Sequence, residues 1–244
     1  MMMVWLTAIG VGGATMVGAV LGFVFRHTVQ KIGNMVLSFA SGVMLAAAVL
    51  GLILPALDHG GAHSTLVAVA GILTGAVGLK WMHRLIPHLS RMLGTSPSEQ
   101  NLHMDRVLLF TAAIAIHNLP EGIAAGVGFG TGSTADALMI AGGIALQNLP
   151  EGMVIIAPML EAGIPPGRTL WLALATGAVE IVGTLLGYFT VQAASAILPF
   201  ALAFAGGTML YVISDEMIPE IHTDGGQGAS FTLLLGFCLM LVIR

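Results

Sequence analysis

Apolar residues run along most of this chain in long blocks, which neither alternate as in a half-buried strand nor keep to one stripe of a helix, and short polar, glycine- or proline-containing stretches separate them. A helix that crosses a bilayer needs about 20 mainly apolar residues. The blocks therefore predict eight spans: Val4 to Phe25, Met35 to Leu57, Leu66 to Ile86, Val107 to Gly128, Ala135 to Leu160, Leu170 to Val191, Leu198 to Ile218 and Phe231 to Ile243. The expected fold is an all-α membrane protein, one polytopic domain over residues 1–244 with short connections. One connection is longer: the polar stretch at about 87–105 begins with Pro87, contains Gly94-Thr95-Ser96-Pro97-Ser98, and reads as a flexible cytoplasmic loop.

Composition agrees with the pattern. Hydrophobic residues make up 57% of the 244 positions and charged residues 8%, with a mean hydropathy of +0.96, whereas a soluble domain is roughly one-quarter charged. The 33 glycines would weaken soluble helices, but small residues let membrane helices approach closely, as Gly42, Gly71, Gly75, Gly177 and Gly183 are placed to do. Cys238 stands alone, which excludes an intramolecular disulfide or a cysteine cluster and reads as packing. No basic residue precedes the first apolar run, so it reads as a retained helix.

Arg26, Lys31, Lys80, Arg84, Arg91, Arg106 and Arg168 all fall in or beside the first, third and fifth connections, and only Arg244 lies opposite. Basic residues collect on the cytoplasmic side, so both termini are expected outside the cytoplasm of a cell membrane, the inner membrane in a bacterium. A net charge of −4 without a basic patch argues against a nucleic-acid partner.

Two internal echoes add function to this topology. Phe39-Ala-Ser-Gly-Val-Met-Leu in the second span returns as Phe204-Ala-Gly-Gly-Thr-Met-Leu in the seventh, each followed by a proline, Pro55 or Pro219. Those spans run in opposite directions, so the echo predicts an inverted repeat, an arrangement that places substrate near the bilayer midplane. The second echo is sharper: His117-Asn118-Leu119-Pro120-Glu121-Gly122 in the fourth span recurs as Gln147-Asn148-Leu149-Pro150-Glu151-Gly152 in the fifth.

Glu121, Glu151 and Glu180 sit inside apolar spans, where a charge costs about 2.5–3.5 kcal/mol on insertion scales. Between Arg106 and Arg168, and from there to Arg244, the sequence offers no lysine or arginine to offset them. A bound cation or a proton is the compensating charge. On a helix His117 and Asn118 share a face with Glu121, and Gln147 and Asn148 with Glu151. Pro120 and Pro150 remove a backbone donor and are expected to kink the fourth and fifth helices where these side chains converge. Imidazole, carboxylate and amide oxygens without thiolate suit Zn2+, with Cd2+, Mn2+ and Fe2+ as alternatives carried as substrate; no prosthetic group is implied.

HNLPEG, QNLPEG, a mid-span glutamate in the sixth helix and FAGGTMLYVISDEMIPEIH in the seventh together resemble the ZIP family of metal transporters, its bacterial GufA-like branch in particular, over nearly the whole chain. The resemblance implies eight helices with both termini outside, metal movement into the cytoplasm and frequent homodimers. It also implies a central site at His117, Asn118, Glu121, Gln147, Asn148 and Glu151, with Glu180 reaching a second, adjacent metal position and Met44 a soft ligand on the entrance side. Asn148 stands where some bacterial members have aspartate, and Gln147 where many others have histidine. Both departures weaken the second position.

Secondary candidates lie at the ends of spans. Asp58 and His59 could attract metal to the entrance; Asp215, Glu216, Glu220 and His222 suit an exit path; His83, His88 and His103 border the long loop and could collect released metal. Two other readings compete. An intramembrane metal-dependent hydrolase would use the same ligands to activate water, although HExxH is missing; a proton-coupled carrier of an organic solute would want an aromatic or basic pocket that 6% aromatic content does not suggest.

Overall fold

Helices are the economical answer for a chain this apolar, because only an element that satisfies its own backbone polar groups is stable in hydrocarbon. The computed structural model describes residues 1–92, 102–161, 163–222 and 228–243, with no strand among them. In order, the helices are α1 (Met2–Val24), α2 (Arg26–Ala46), α3 (Leu54–His59), α4 (Ser64–Met92), α5 (Leu102–Val127), α6 (Thr134–Val154), α7 (Ile156–Glu161), α8 (Pro166–Ala193), α9 (Leu198–Val212), α10 (Ile218–His222) and α11 (Ala229–Ile243).

Six helical stretches among the described residues are long and apolar enough to cross a membrane: Met2–Val24, Lys31–His59, Gly61–Arg84, Thr134–Glu161, Pro166–Ala193 and Ser195–His222. α5 has 26 residues and α11, apolar but shorter, has 15. Of the expected loop at 87–105, α4 reaches Met92 and α5 begins at Leu102, and residues 93–101 lie outside the described residues. α5 and α6 continue as unbroken α-helix through Pro120 and Pro150.

The repeated Phe-Ala segments share a local irregularity. α2 passes into α3 through a π-helical stretch, Ala47–Ile53, and α9 into α10 through another, Ile213–Met217. Each stretch lies just before a proline, Pro55 or Pro219. A proline ring strikes the carbonyl four residues earlier, here Gly51 or Asp215, and a widened turn at that point relieves the collision.

Glycine fixes the packing in two groups. In the first, α1, α5, α6 and α8 approach so closely that a Cβ at Gly12 would land on the carbonyl of Gly177, at Gly177 on that of Gly12, at Gly18 on that of Leu149 and at Gly187 on that of Ile123. In the second, a Cβ at Gly42 would land on the carbonyl of Leu233 (α2 against α11), and Cβ atoms at Gly75 and Gly207 on those of Phe204 and Ile72 (α4 against α9). Between the groups glycine meets side chains instead: a Cβ at Gly143 would come within 2.6 Å of Met240 Cε and one at Gly51 within 3.1 Å of Ile140 Cγ1.

Candidate metal centre

The glycine that closes each hexapeptide echo explains where the site forms. A Cβ at Gly122 would fall on the carbonyl of Glu180, so α5 and α8 touch at the level of their glutamates. A Cβ at Gly152 would fall on the carbonyl of Thr15, which brings α1 against α6 at the same level. Pro120 and Pro150 cannot donate to the carbonyls of Ile116 and Leu146, leaving acceptors where the polar side chains gather.

His117, Glu121 and Glu151 each contribute one ligand-type atom to a set lying within 4.8 Å of one another. His117 Nε2 is 3.5 Å from Glu121 Oε1 and 3.9 Å from Glu151 Oε2, while its Nδ1 is 3.5 Å from Glu216 Oε2. Gln147 donates from Nε2 to Glu121 Oε1 at 2.9 Å. The side chain of Glu121 is 1% exposed and that of Glu151 12%. Glu121 Oε2, Glu151 Oε1, Gln147 Oε1 and Asn148 Oδ1 are buried with no hydrogen-bond partner. Such atoms are rare in a folded interior and are explained by an ion or water that belongs there. Among the described residues no lysine or arginine pairs with these glutamates.

Glu180, fully buried, stands apart from that cluster. Its Oε1 accepts from Thr15 Oγ1 and from Asn118 Nδ2, both at 2.6 Å, and its Oε2 accepts from Asn148 Nδ2. Asn148 Nδ2 also lies 3.4 Å from the carbonyl of Val11. The repeated motif thus sends its histidine and two glutamates to one centre and its two asparagines to Glu180.

A cavity of about 520 Å³ leads away from His117, Asn118 and Glu151. It passes Asn34 of α2 and Glu161 of α7 and reaches Glu216 and Glu220. None of its lining residues comes from the opposite halves of α5 and α6, where Ala124, Ala125, Ile140 and Ile144 are buried in the main apolar cluster. Met44 is fully buried in that same cluster, as is Met209.

The outlying candidates separate. Glu216 bridges His117 and His83, the latter with Nδ1 3.2 Å from Glu216 Oε1, so His83 belongs to the site's surroundings. Asp215 is exposed and accepts from Tyr211 Oη at 2.9 Å; His222 is exposed with Nδ1 2.8 Å from the carbonyl of Ile218. Asp58 and His59 are exposed at the end of α3, His59 turned to the carbonyl of Pro55 at 2.8 Å. The side chains of His88 and His103 lie outside the described residues. Sequence reasoning missed Thr15 and Val11. The available signal was the four-residue spacing of Thr7, Val11 and Thr15, which puts two hydroxyls on one buried face of α1, that of Thr15 between Gly12 and Gly18.

Residues 87–244 match the family model described as ZIP zinc transporter. The chain is 40% identical over 199 residues to the zinc transporter GufA of Myxococcus xanthus, a match covering 79% of this chain and 78% of that protein. It is 34% identical over 243 residues to the zinc transporter ZIPB of Bordetella bronchiseptica, covering 94% and 76%. With the zinc transporter ZIP11 of Xenopus tropicalis the identity is 31% over 310 residues, covering 94% and 92%.

Proposed function

The chain belongs to the ZIP zinc transporter family, as a multi-pass membrane protein that moves divalent metal ions, and we propose that its substrate is zinc, passed through the junction of α5, α6 and α8. The observation that carries this reading is the His117, Glu121 and Glu151 set, within 4.8 Å, unpaired by lysine or arginine among the described residues, at the head of a 520 Å³ cavity. A divalent ion supplies the charge those carboxylates lack, and borderline nitrogen and oxygen ligands suit zinc. Gln147 holds Glu121, and Glu216 offers the departing ion its next carboxylate.

The ion leaves through the cavity. Arg26 and Lys31 lie on the end of α2 that lines it, and Arg168 follows α7, which also lines it, so by the distribution of basic residues this is the cytoplasmic side and both termini are outside. α5 and α11 complete eight spans, and the paired π-helical stretches before Pro55 and Pro219 support reading the two Phe-Ala segments as halves of an inverted repeat. Cadmium, iron(II) and manganese are secondary substrates, the membrane is a bacterial inner membrane, and the protein forms a homodimer in this reading. The relatives are named transporters, which leaves the hydrolase and organic-solute readings without support.

Uptake of a metal panel into liposomes containing purified protein, with and without a pH gradient, tests it. Zinc uptake above protein-free liposomes is the expected result; no metal uptake under any gradient would overturn it.

A further inference from the structure

We infer that Thr15, on α1, is a positioning residue for the metal centre: through Glu180 it sets the orientation of the two motif asparagines. This rests on the transport site proposed above, and it assigns a role to a helix that contributes no metal-ligand candidate.

A carboxylate can only accept hydrogen bonds, so any amide that contacts it must turn its NH2 end inward. Glu180 takes the Nδ2 of Asn118 and the Nδ2 of Asn148, one on each oxygen, and thereby directs both amide carbonyls away from itself. Asn148 Oδ1 is left buried without a donor, available to a cation. Thr15 Oγ1 shares Glu180 Oε1 with Asn118. With a single hydrogen to give, it fixes where that oxygen can lie.

Packing makes the placement rigid. The carbonyl of Thr15 is the atom that the missing Cβ of Gly152 would strike, so Thr15 cannot shift without moving α6 and Glu151, which directly precedes that glycine. Val11, one turn away, takes the second contact of Asn148 Nδ2 through its carbonyl. α1 therefore holds Glu180 from its side chain and Asn148 from its backbone. Glu180 has three donors on its two oxygens before any metal arrives, which makes it the orienting group of the site and leaves ion capture to His117, Glu121 and Glu151.

Thr15→Val keeps the volume and removes the donor. Hydrogen bonds to a charged group are the strong ones, and losing one corresponds to a change of about tenfold. The expected result in liposomes is a KM for zinc raised about tenfold with maximal rate close to wild type, and in detergent a matching loss of zinc affinity by calorimetry. Thr15→Ser keeps the hydroxyl and should restore wild-type values. In a Glu180→Gln background Thr15→Val should add little, because the shared acceptor is already altered. Unchanged affinity in Thr15→Val, an equal loss in Thr15→Ser, or full additivity with Glu180→Gln would overturn the role. Thr15→Ala provides the same comparison where Thr15→Val does not insert. Calorimetry separates the two readings: wild type that binds zinc but does not move it would sink the proposed transport, while the binding comparison still decides the role of Thr15.

Discussion

The two helix groups are packed by the same device and filled with different chemistry. Both bring backbones together on glycine, as at Gly12 against Gly177 in one and Gly75 against Phe204 in the other. In the group of α2, α4, α9 and α11, the buried polar residues Ser38, Ser41 and Thr208 are satisfied by main-chain carbonyls, those of Ala229, Leu37 and Ala205. In the group of α1, α5, α6 and α8, buried carboxylates and amides bond to one another and still leave oxygens unpaired. Tight packing alone does not mark function in a membrane protein. Buried acceptors in excess of donors do, because each must be repaid by something the chain does not contain.

The strongest way to break that contrast is to remove charge from one group and polarity from the other. Glu121→Gln and Glu151→Gln keep shape but delete a ligand charge, and zinc uptake should fall by more than about tenfold, the low end for losing even an outer partner of a ligand. Ser41→Ala removes a hydroxyl that only bonds its own helix, to the carbonyl of Leu37 at 2.8 Å, and should transport normally. Near-normal uptake in both glutamate variants would mean that the polar group is not the transport site.

Packing should be indifferent to the same division. Gly12→Ala in the first group and Gly75→Ala in the second each push a methyl into a facing carbonyl and should cost about 1–3 kcal/mol. Gly13→Ala and Gly142→Ala meet nothing within 4 Å and should be neutral or slightly stabilising through helix propensity. Thermal unfolding in detergent reads all four. Interface variants as stable as the open-space controls would contradict the close approach of these helices.

Acidification should act at the metal centre, including Glu216 and His83, which reach it from the other group. Metal binds neutral imidazole and ionised carboxylate, so protons compete for His117 and the glutamates, and zinc uptake should decline steadily from neutral pH toward about 5. A flat profile with zinc speciation controlled would show that these groups do not meet the ion.

Much of this is legible in the sequence, and for a physical reason: in a bilayer an ionisable residue is so costly that the sequence displays it. Glu121, Glu151 and Glu180 stand out against 8% charged composition, and i to i+4 spacing pairs His117 with Glu121, whereas Gln147, which the same spacing pairs with Glu151, bonds instead to Glu121 on the neighbouring helix. What did not show was cross-helix pairing. Nothing along the chain says that Asn118 and Asn148 would turn to Glu180, that Thr15 would join them, or that Glu216 would reach His117 from a π-helical turn. Those contacts depend on which helices lie side by side, and threonine costs too little in an apolar helix to announce itself.

Asn148→Asp sharpens the comparison most finely, with the smallest expected change in rate. Glu121, Glu151 and Glu180 bring three negative charges against two positive ones on a single zinc ion, a slight excess that a site of low dielectric can hold. A second ion would leave the same set net positive by one, so the wild type should bind one ion tightly and a second weakly. The structure adds a geometric reason: Asn148 Nδ2 occupies Glu180 Oε2, where a second ion would want an oxygen. Aspartate at this position replaces the donor with an acceptor at nearly the same volume, and two carboxylates then face each other across a gap that only a proton or a cation can fill. The variant should hold closer to two metals per chain by mass spectrometry of the intact protein. Because tighter holding slows release, its maximal transport rate should stay equal or fall. Two tightly held ions in the wild type, with no gain in the variant, would show that Glu180 accepts metal despite its three donors and that the charge count does not govern occupancy.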